Sequence, residues 1–185
     1  MLLCFILCFI LLIFRINSIT IVDMKFTRSI NLLKLLEKKS FFLFGPRSTG
    51  KTYLIRQQLA DKALVIDLLK SNLYLKLNAN PSELESIIDA GLKDRLFVVI
   101  DEIQKIPDLL NEVHRLIEER QLRFLLTGSS ARQLKRKQSN LLGGRAWRAE
   151  LFPLSWSEIP DFDLDRYLRF GGLPHVYPSK NPDEE

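Results

Sequence analysis

The residues best suited to chemistry gather in a few short stretches. In "GPRSTGKT", residues 45–52, Gly45 and Gly50 stand five positions apart and are followed by Lys51 and Thr52, the G-x-x-x-x-G-K-[ST] spacing of a phosphate loop. Glycine at both positions lets the backbone wrap a chain of phosphates, so that the N–H groups around Ser48 to Lys51 point inward and the positive end of a following helix adds its attraction. Pro46, Arg47, Ser48 and Thr49 complete the cradle, Lys51 would reach the β- and γ-phosphates, and Thr52 would offer its hydroxyl to Mg²⁺. The competing reading is a chance glycine-rich turn. Against it, "FFLF" ahead of the loop and "YLIRQQL" behind it supply the strand–loop–helix context that the motif needs.

The second stretch is "LFVVIDEIQ", an apolar run that ends in Asp101 and Glu102. An aspartate there can hold the water shell of Mg²⁺ beside Thr52, and an adjacent glutamate can polarise a water for in-line attack on a γ-phosphate. Glu102 is thus the residue that favours hydrolysis over binding alone. A third apolar run leaves into "TGSS", residues 127–130. If its strand lies between the other two, Thr127 or Ser129 could bond the attacking water or the γ-phosphate; a simple polar turn with freedom at Gly128 is the alternative.

The stretch "ARQLKRKQSNLLGGRAWRAEL" carries Arg132, Lys135, Arg136, Lys137, Arg145 and Arg148. Three readings stand: a solvated basic loop, an Arg145 that reaches a nucleotide phosphate in its own or a neighbouring subunit, and a contact to a nucleic-acid backbone. Trp147 is close by, but no interleaved aromatic pattern supports base stacking. The two histidines, His114 and His175, lie far apart in sequence, so neither a metal cluster nor a catalytic triad is in view and structural roles are expected for both.

Positioning these residues requires a particular scaffold. "FFLF" (41–44), "ALVI" (63–66), "LFVVI" (96–100) and "LRFLL" (122–126) lack polar alternation and read as strands buried on both faces. Between them, Ser82 followed by Glu85 forms a capping box behind Pro81 for a helix that ends near Gly91. In "PDLLNEVHRLIEER", Leu109, Leu110, Val113, Leu116 and Ile117 make one apolar stripe, the mark of a helix lying on a sheet. Strands alternating with helices imply a parallel sheet in a three-layer α/β domain, with ligands at the carboxyl ends of the strands.

Composition sets the outer limits. With 185 residues, 27 basic and 22 acidic, the chain suits one core plus appendages, and its net charge of +5 permits a nucleic acid or an anionic membrane as partner without requiring either. The first fourteen residues, "MLLCFILCFILLIF", are apolar throughout, short of the roughly 20 that a spanning helix needs. They read either as a marginal anchor, with Arg15, Lys25 and Arg28 placing the domain in the cytoplasm, or as an extension ahead of a true start at Met24. Both cysteines, Cys4 and Cys8, lie in that segment, which leaves the globular part without a disulfide framework and suits a reducing compartment.

Taken together, "FFLFGPRSTGKT", "LVIDLL", "VVIDEIQKIPDLLNEVH", "FLLTGSSAR", "LLGGRAWRAELFPLSWSEI" and "YLRFGGLPHVY" resemble, in order from about residue 30 to 178, the prokaryotic AAA-type ATPases whose phosphate-loop domain precedes a further C-terminal domain. The resemblance implies an AAA-like P-loop NTPase core with strand order 5-1-4-3-2 and ATP with Mg²⁺ as ligands. It also implies Walker A and B roles for Gly45 to Thr52 and for Asp101 and Glu102, a sensor role for Ser129 and a phosphate-facing role for Arg145. On this reading residues 1–23 are an extension, 24–160 the ATPase domain and 161–185 the start of the region that follows it. The choice of ATP over GTP rests on the resemblance. Members continue past the "GGLPHVY" segment, whereas this chain stops at "PSKNPDEE", so the role of a second domain does not carry over. The expected function is a Mg²⁺-dependent ATPase acting on an unidentified protein partner, as a homo-oligomer if Arg145 works between subunits. Alternatives are a nucleotide-dependent binding module without turnover, a DNA-associated NTPase, and, less favoured, a small-molecule kinase.

Overall fold

The computed structural model describes residues 26–130 and 142–184. The apolar segment with Met24 and Lys25, and the basic residues Arg132, Lys135, Arg136 and Lys137, lie outside the described residues. The elements run α1 (Leu32–Leu36), β1 (Ser40–Phe44), α2 (Lys51–Leu59), β2 (Ala63–Asp67), α3 (Ser71–Ala79) and α4 (Glu83–Leu92). They continue as β3 (Phe97–Asp101), α5 (Leu109–Arg120), β4 (Arg123–Gly128), β5 (Ala146–Glu150) and α6 (Leu164–Phe170). All five strands are parallel, in the order β2-β3-β4-β1-β5, which is the expected 5-1-4-3-2 order read from the other edge.

Side chains alternate across this sheet, and each face has its own core. Phe41, Leu43, Val99 and Leu125 pack with Leu32 and Leu36 of α1 and Leu54, Ile55 and Leu59 of α2. Phe42, Phe44, Val98, Ile100, Phe124 and Leu126 face the other way, against Leu77 of α3, Leu84 and Ile88 of α4, and Leu109, Val113 and Leu116 of α5. The result is three layers, because unbroken apolar strands can be buried only if both faces are covered. A third, smaller cluster joins Phe26 to Leu154, Ile159 and Tyr177, so the start and the end of the described chain share one core.

Two local expectations change. The "ALVI" strand is an edge strand, β2, and one face is only partly covered: Ala63 is buried there but Val65 is 40% exposed, while on the other face Gly91 of α4 comes so close that a Cβ there would lie 2.8 Å from Leu64. The Ser82–Glu85 capping box does not form. The Ser82 hydroxyl donates instead to Asn80 Oδ1 at 2.7 Å, and Glu85 turns to Arg115 of α5 at 2.7 Å. Ser82 has helical backbone, φ −66 and ψ −16, rather than the extended conformation from which an N-cap oxygen reaches the helix N–H groups. The helix itself starts and ends where expected.

Candidate nucleotide-binding site

Register brings the candidate residues to one edge of the sheet. Phe44 lies opposite Gly128, and Ile100 opposite Leu126, so the chain leaves β1, β3 and β4 at nearly the same level. β4 sits between β1 and β3, as the reading of "TGSS" required. Gly45 to Gly50 follow β1 directly and run into α2, whose N-cap Gly50 is left-handed and whose first turn has no side-chain cap. The first N–H groups of a helix have no acceptor within it, so an uncapped start leaves donors for an anion. Ser48, at φ 65, is also left-handed, and Thr49 braces the turn through its hydroxyl to Pro46 O at 2.9 Å.

Lys51 is folded into this loop. Its ammonium donates to Gly45 O at 2.7 Å and Pro46 O at 2.9 Å, and the residue is only 7% exposed. Burial pulls its pKa below the ordinary 10.5; Glu102 and Asp101 push it back up and Arg47 adds to the fall, leaving a net lowering. Beside it, Thr52 donates to Asp101 Oδ2 at 2.9 Å. Asp101 Oδ1 accepts from the buried Thr127 hydroxyl, and Thr127 Oγ1 in turn accepts from the Glu102 N–H at 3.1 Å. Thr127 therefore orders the two acidic residues rather than pointing at a ligand. Glu102 has left-handed backbone, φ 62 and ψ 44, a conformation that costs a non-glycine residue about 1–2 kcal/mol. Its carboxylate is held by Gln104 Nε2. Ser129 is half-buried, just past the end of β4.

Arg145 is not among them. It precedes β5, where Ala146 lies opposite Ser40 at the start of β1, so a strand's length, roughly 15 Å, separates it from its own phosphate loop. There it pairs with Glu118 at the end of α5 and lines a cavity of about 520 Å³ with Lys38, Lys39 and Arg123. His175 is exposed, and His114 keeps a buried Nε2 without a hydrogen-bond partner. Among the described residues no cluster of three His, Cys, Asp or Glu is placed to hold a metal, and no helix is long and apolar enough to cross a membrane.

One contributor escaped the sequence reading. Arg28, ahead of α1, donates to Thr49 O of the loop at 3.2 Å, to Phe152 O at 2.5 Å and to Glu158 Oε1 at 3.2 Å. Glu158 also accepts from Ser29 N–H at 2.7 Å, Ser29 hydroxyl at 2.9 Å and Ser155 N–H at 3.0 Å. Burial alone would raise its pKa, but these donors and the Arg28 charge outweigh it, so the carboxyl lies below its ordinary 4.5. Nothing local in the sequence marks this pair, since the partners are 130 positions apart.

A parallel sheet with this strand order and a strand–glycine loop–helix unit at its carboxyl edge defines a P-loop nucleotide-binding domain of the AAA type. The chain belongs to the AAA domain family, whose model matches residues 37–160. It is similar to an uncharacterised protein of Methanocaldococcus jannaschii, 25% identical over 169 residues, covering 78% of this chain and 37% of that one. A second relative, an uncharacterised protein of Haemophilus influenzae, is 26% identical over 165 residues, covering 76% of this chain and 41% of its own length. This chain thus spans about two fifths of the length of either relative. Among solved structures, the Orc1 protein of Aeropyrum pernix, in complex with DNA, is similar with a TM-score of 0.48 and 17% identity, over 82% of this chain and 55% of that one.

Proposed function

We propose that the chain hydrolyses ATP with Mg²⁺. The observation that carries this reading is the linked set Thr52–Asp101–Thr127–Glu102 beside the phosphate loop. Lys51 would exchange its two loop carbonyls for β- and γ-phosphate oxygens, while the uncapped start of α2 receives the phosphate chain. The Thr52 hydroxyl and the Asp101 carboxylate, already 2.9 Å apart, fit a hard cation, directly for the hydroxyl and through water for the carboxylate. Bound Mg²⁺ would supply charge neutralisation between the β- and γ-phosphates. Glu102 would accept the proton of the attacking water, and Ser129, just past the end of β4, would report on the γ-phosphate.

The test is Mg²⁺-dependent ATP binding and turnover by the full chain. Lys51→Ala should abolish binding. Glu102→Gln should still bind ATP and turn it over at least about 100-fold more slowly, the usual worth of a positioned base. Unchanged turnover in Glu102→Gln would refute the mechanism.

A second reading, a nucleotide-gated module whose turnover needs another subunit, is favoured by the position of Arg145 at the opposite edge of the sheet. From there it would serve a neighbour's phosphates, as arginine fingers supplied in trans do. The partner moved by the cycle, whether protein or nucleic acid, would then be engaged by the assembly.

A further inference from the structure

Gln104 touches the residue on which hydrolysis would turn. It stands in the 3₁₀ turn Ile103–Lys105, which the fully buried Ile103 pins to the core. From there its side chain crosses the gap between the ends of β3 and β4. Nε2 donates to Glu102 Oε2, and Oε1 faces Gly128.

Two features give this contact a direction. Only the NH₂ end of an amide can donate to a carboxylate, so the Glu102 charge dictates which way the amide lies and sends Oε1 to the other side. There Oε1 is buried with no hydrogen-bond partner, a cost that the arrangement retains. The wall it meets is a glycine: a Cβ built on Gly128 would come within 2.7 Å of Oε1, so the amide occupies the space a side chain would fill. The Glu102 backbone, meanwhile, is already fixed by its N–H to Thr127 Oγ1 at 3.1 Å. What remains to be set is the direction of its carboxylate, and Gln104 sets it.

We propose that Gln104 is a positioning residue that aims the Glu102 carboxylate at the water attacking the γ-phosphate. The proposal rests on the hydrolytic reading of Glu102.

Steady-state ATP turnover and nucleotide affinity of the full chain test it in Gln104→Ala, Gly128→Ala and the double variant. Gln104→Ala should lower kcat about 100-fold, the cost of a misplacement near 1 Å, with ATP affinity unchanged. Gly128→Ala should fold, since the atom it displaces is the far end of a flexible side chain, and should lose kcat in the same way. The double variant should lose no more than Gln104→Ala alone, because both act through one amide. Additive losses, or a fall in affinity matching the fall in kcat, would overturn the proposal. A direct readout is the side-chain amide resonance of Gln104 in NMR spectra, which should move in Glu102→Ala; a resonance that stays in place would also overturn it. The two readings fail differently. A chain that never turns over ATP defeats the hydrolytic reading and this proposal together, whereas turnover that survives intact in Gln104→Ala defeats this proposal alone.

Discussion

Gly45 and Gly50 are both required by the phosphate loop, for unrelated reasons. A Cβ on Gly45 would lie 2.2 Å from Leu151 O, and Leu151 cannot retreat because its N–H is bonded to Phe44 O at 2.7 Å. Gly50 has room, with Pro174 Cγ nearest at 3.9 Å, but its φ of +88° is one that side chains resist. Gly45→Ala should therefore destabilise the fold by about 3 kcal/mol, and Gly50→Ala by about 1–2 kcal/mol. Urea unfolding of both variants checks the order; a milder Gly45→Ala would mean that Leu151 moves after all. The motif marked both glycines as loop formers, but only the packed structure separates the one that avoids a clash from the one that turns the chain.

The segment after β5 is tied to the phosphate loop by Arg28 and Glu158, whose side chains are 8% and 6% exposed. Removing one member of a buried pair leaves the other uncompensated, so Arg28→Ala should cost about 3 kcal/mol, measured by chemical unfolding at neutral pH. The pH dependence has a definite sign. The Glu158 carboxyl sits below its ordinary 4.5 in the folded chain, so the unfolded state binds the proton first, and its contribution is complete above 4.5 and fades as pH falls further. Stability measured from pH 7 downward should therefore show wild type and Glu158→Gln converging below pH 4.5; a gap that stays constant would remove Glu158 from the account. Elements built from local pattern were legible in the sequence: the β1, β3 and β4 strands, the α5 stripe and the loop all carry their cause within about a dozen residues. The Arg28–Glu158 clamp, the exposed edge at Val65 and the diversion of Ser82 to Asn80 were not, because each depends on which neighbour the finished fold supplies.

For the molecule as a whole, the proposal that Arg145 serves a neighbour's phosphates would make turnover depend on more than one copy. Specific activity should rise with protein concentration. Mixing Arg145→Ala, which keeps an intact loop, with Glu102→Gln, which keeps an intact arginine, should restore part of the activity that each lacks alone. No gain on mixing would leave Arg145 as the partner of Glu118 on the outer surface. The sheet order was legible through the resemblance, while the position of Arg145 was not, because the two glycines before it conceal whether the chain turns toward or away from the nucleotide edge.

The clamp across the loop also has a consequence for the order in which the site comes into being. Thr49 O, a wall of the phosphate loop, is held by an arginine that is itself held by a glutamate made 130 residues later. At cellular rates of synthesis, that interval is on the order of ten seconds. A growing chain would thus display its loop and its acidic pair well before Glu158 arrives to fasten them. Competence to hold nucleotide would then come only once Glu158 has been made and has closed on Arg28, well after the loop itself.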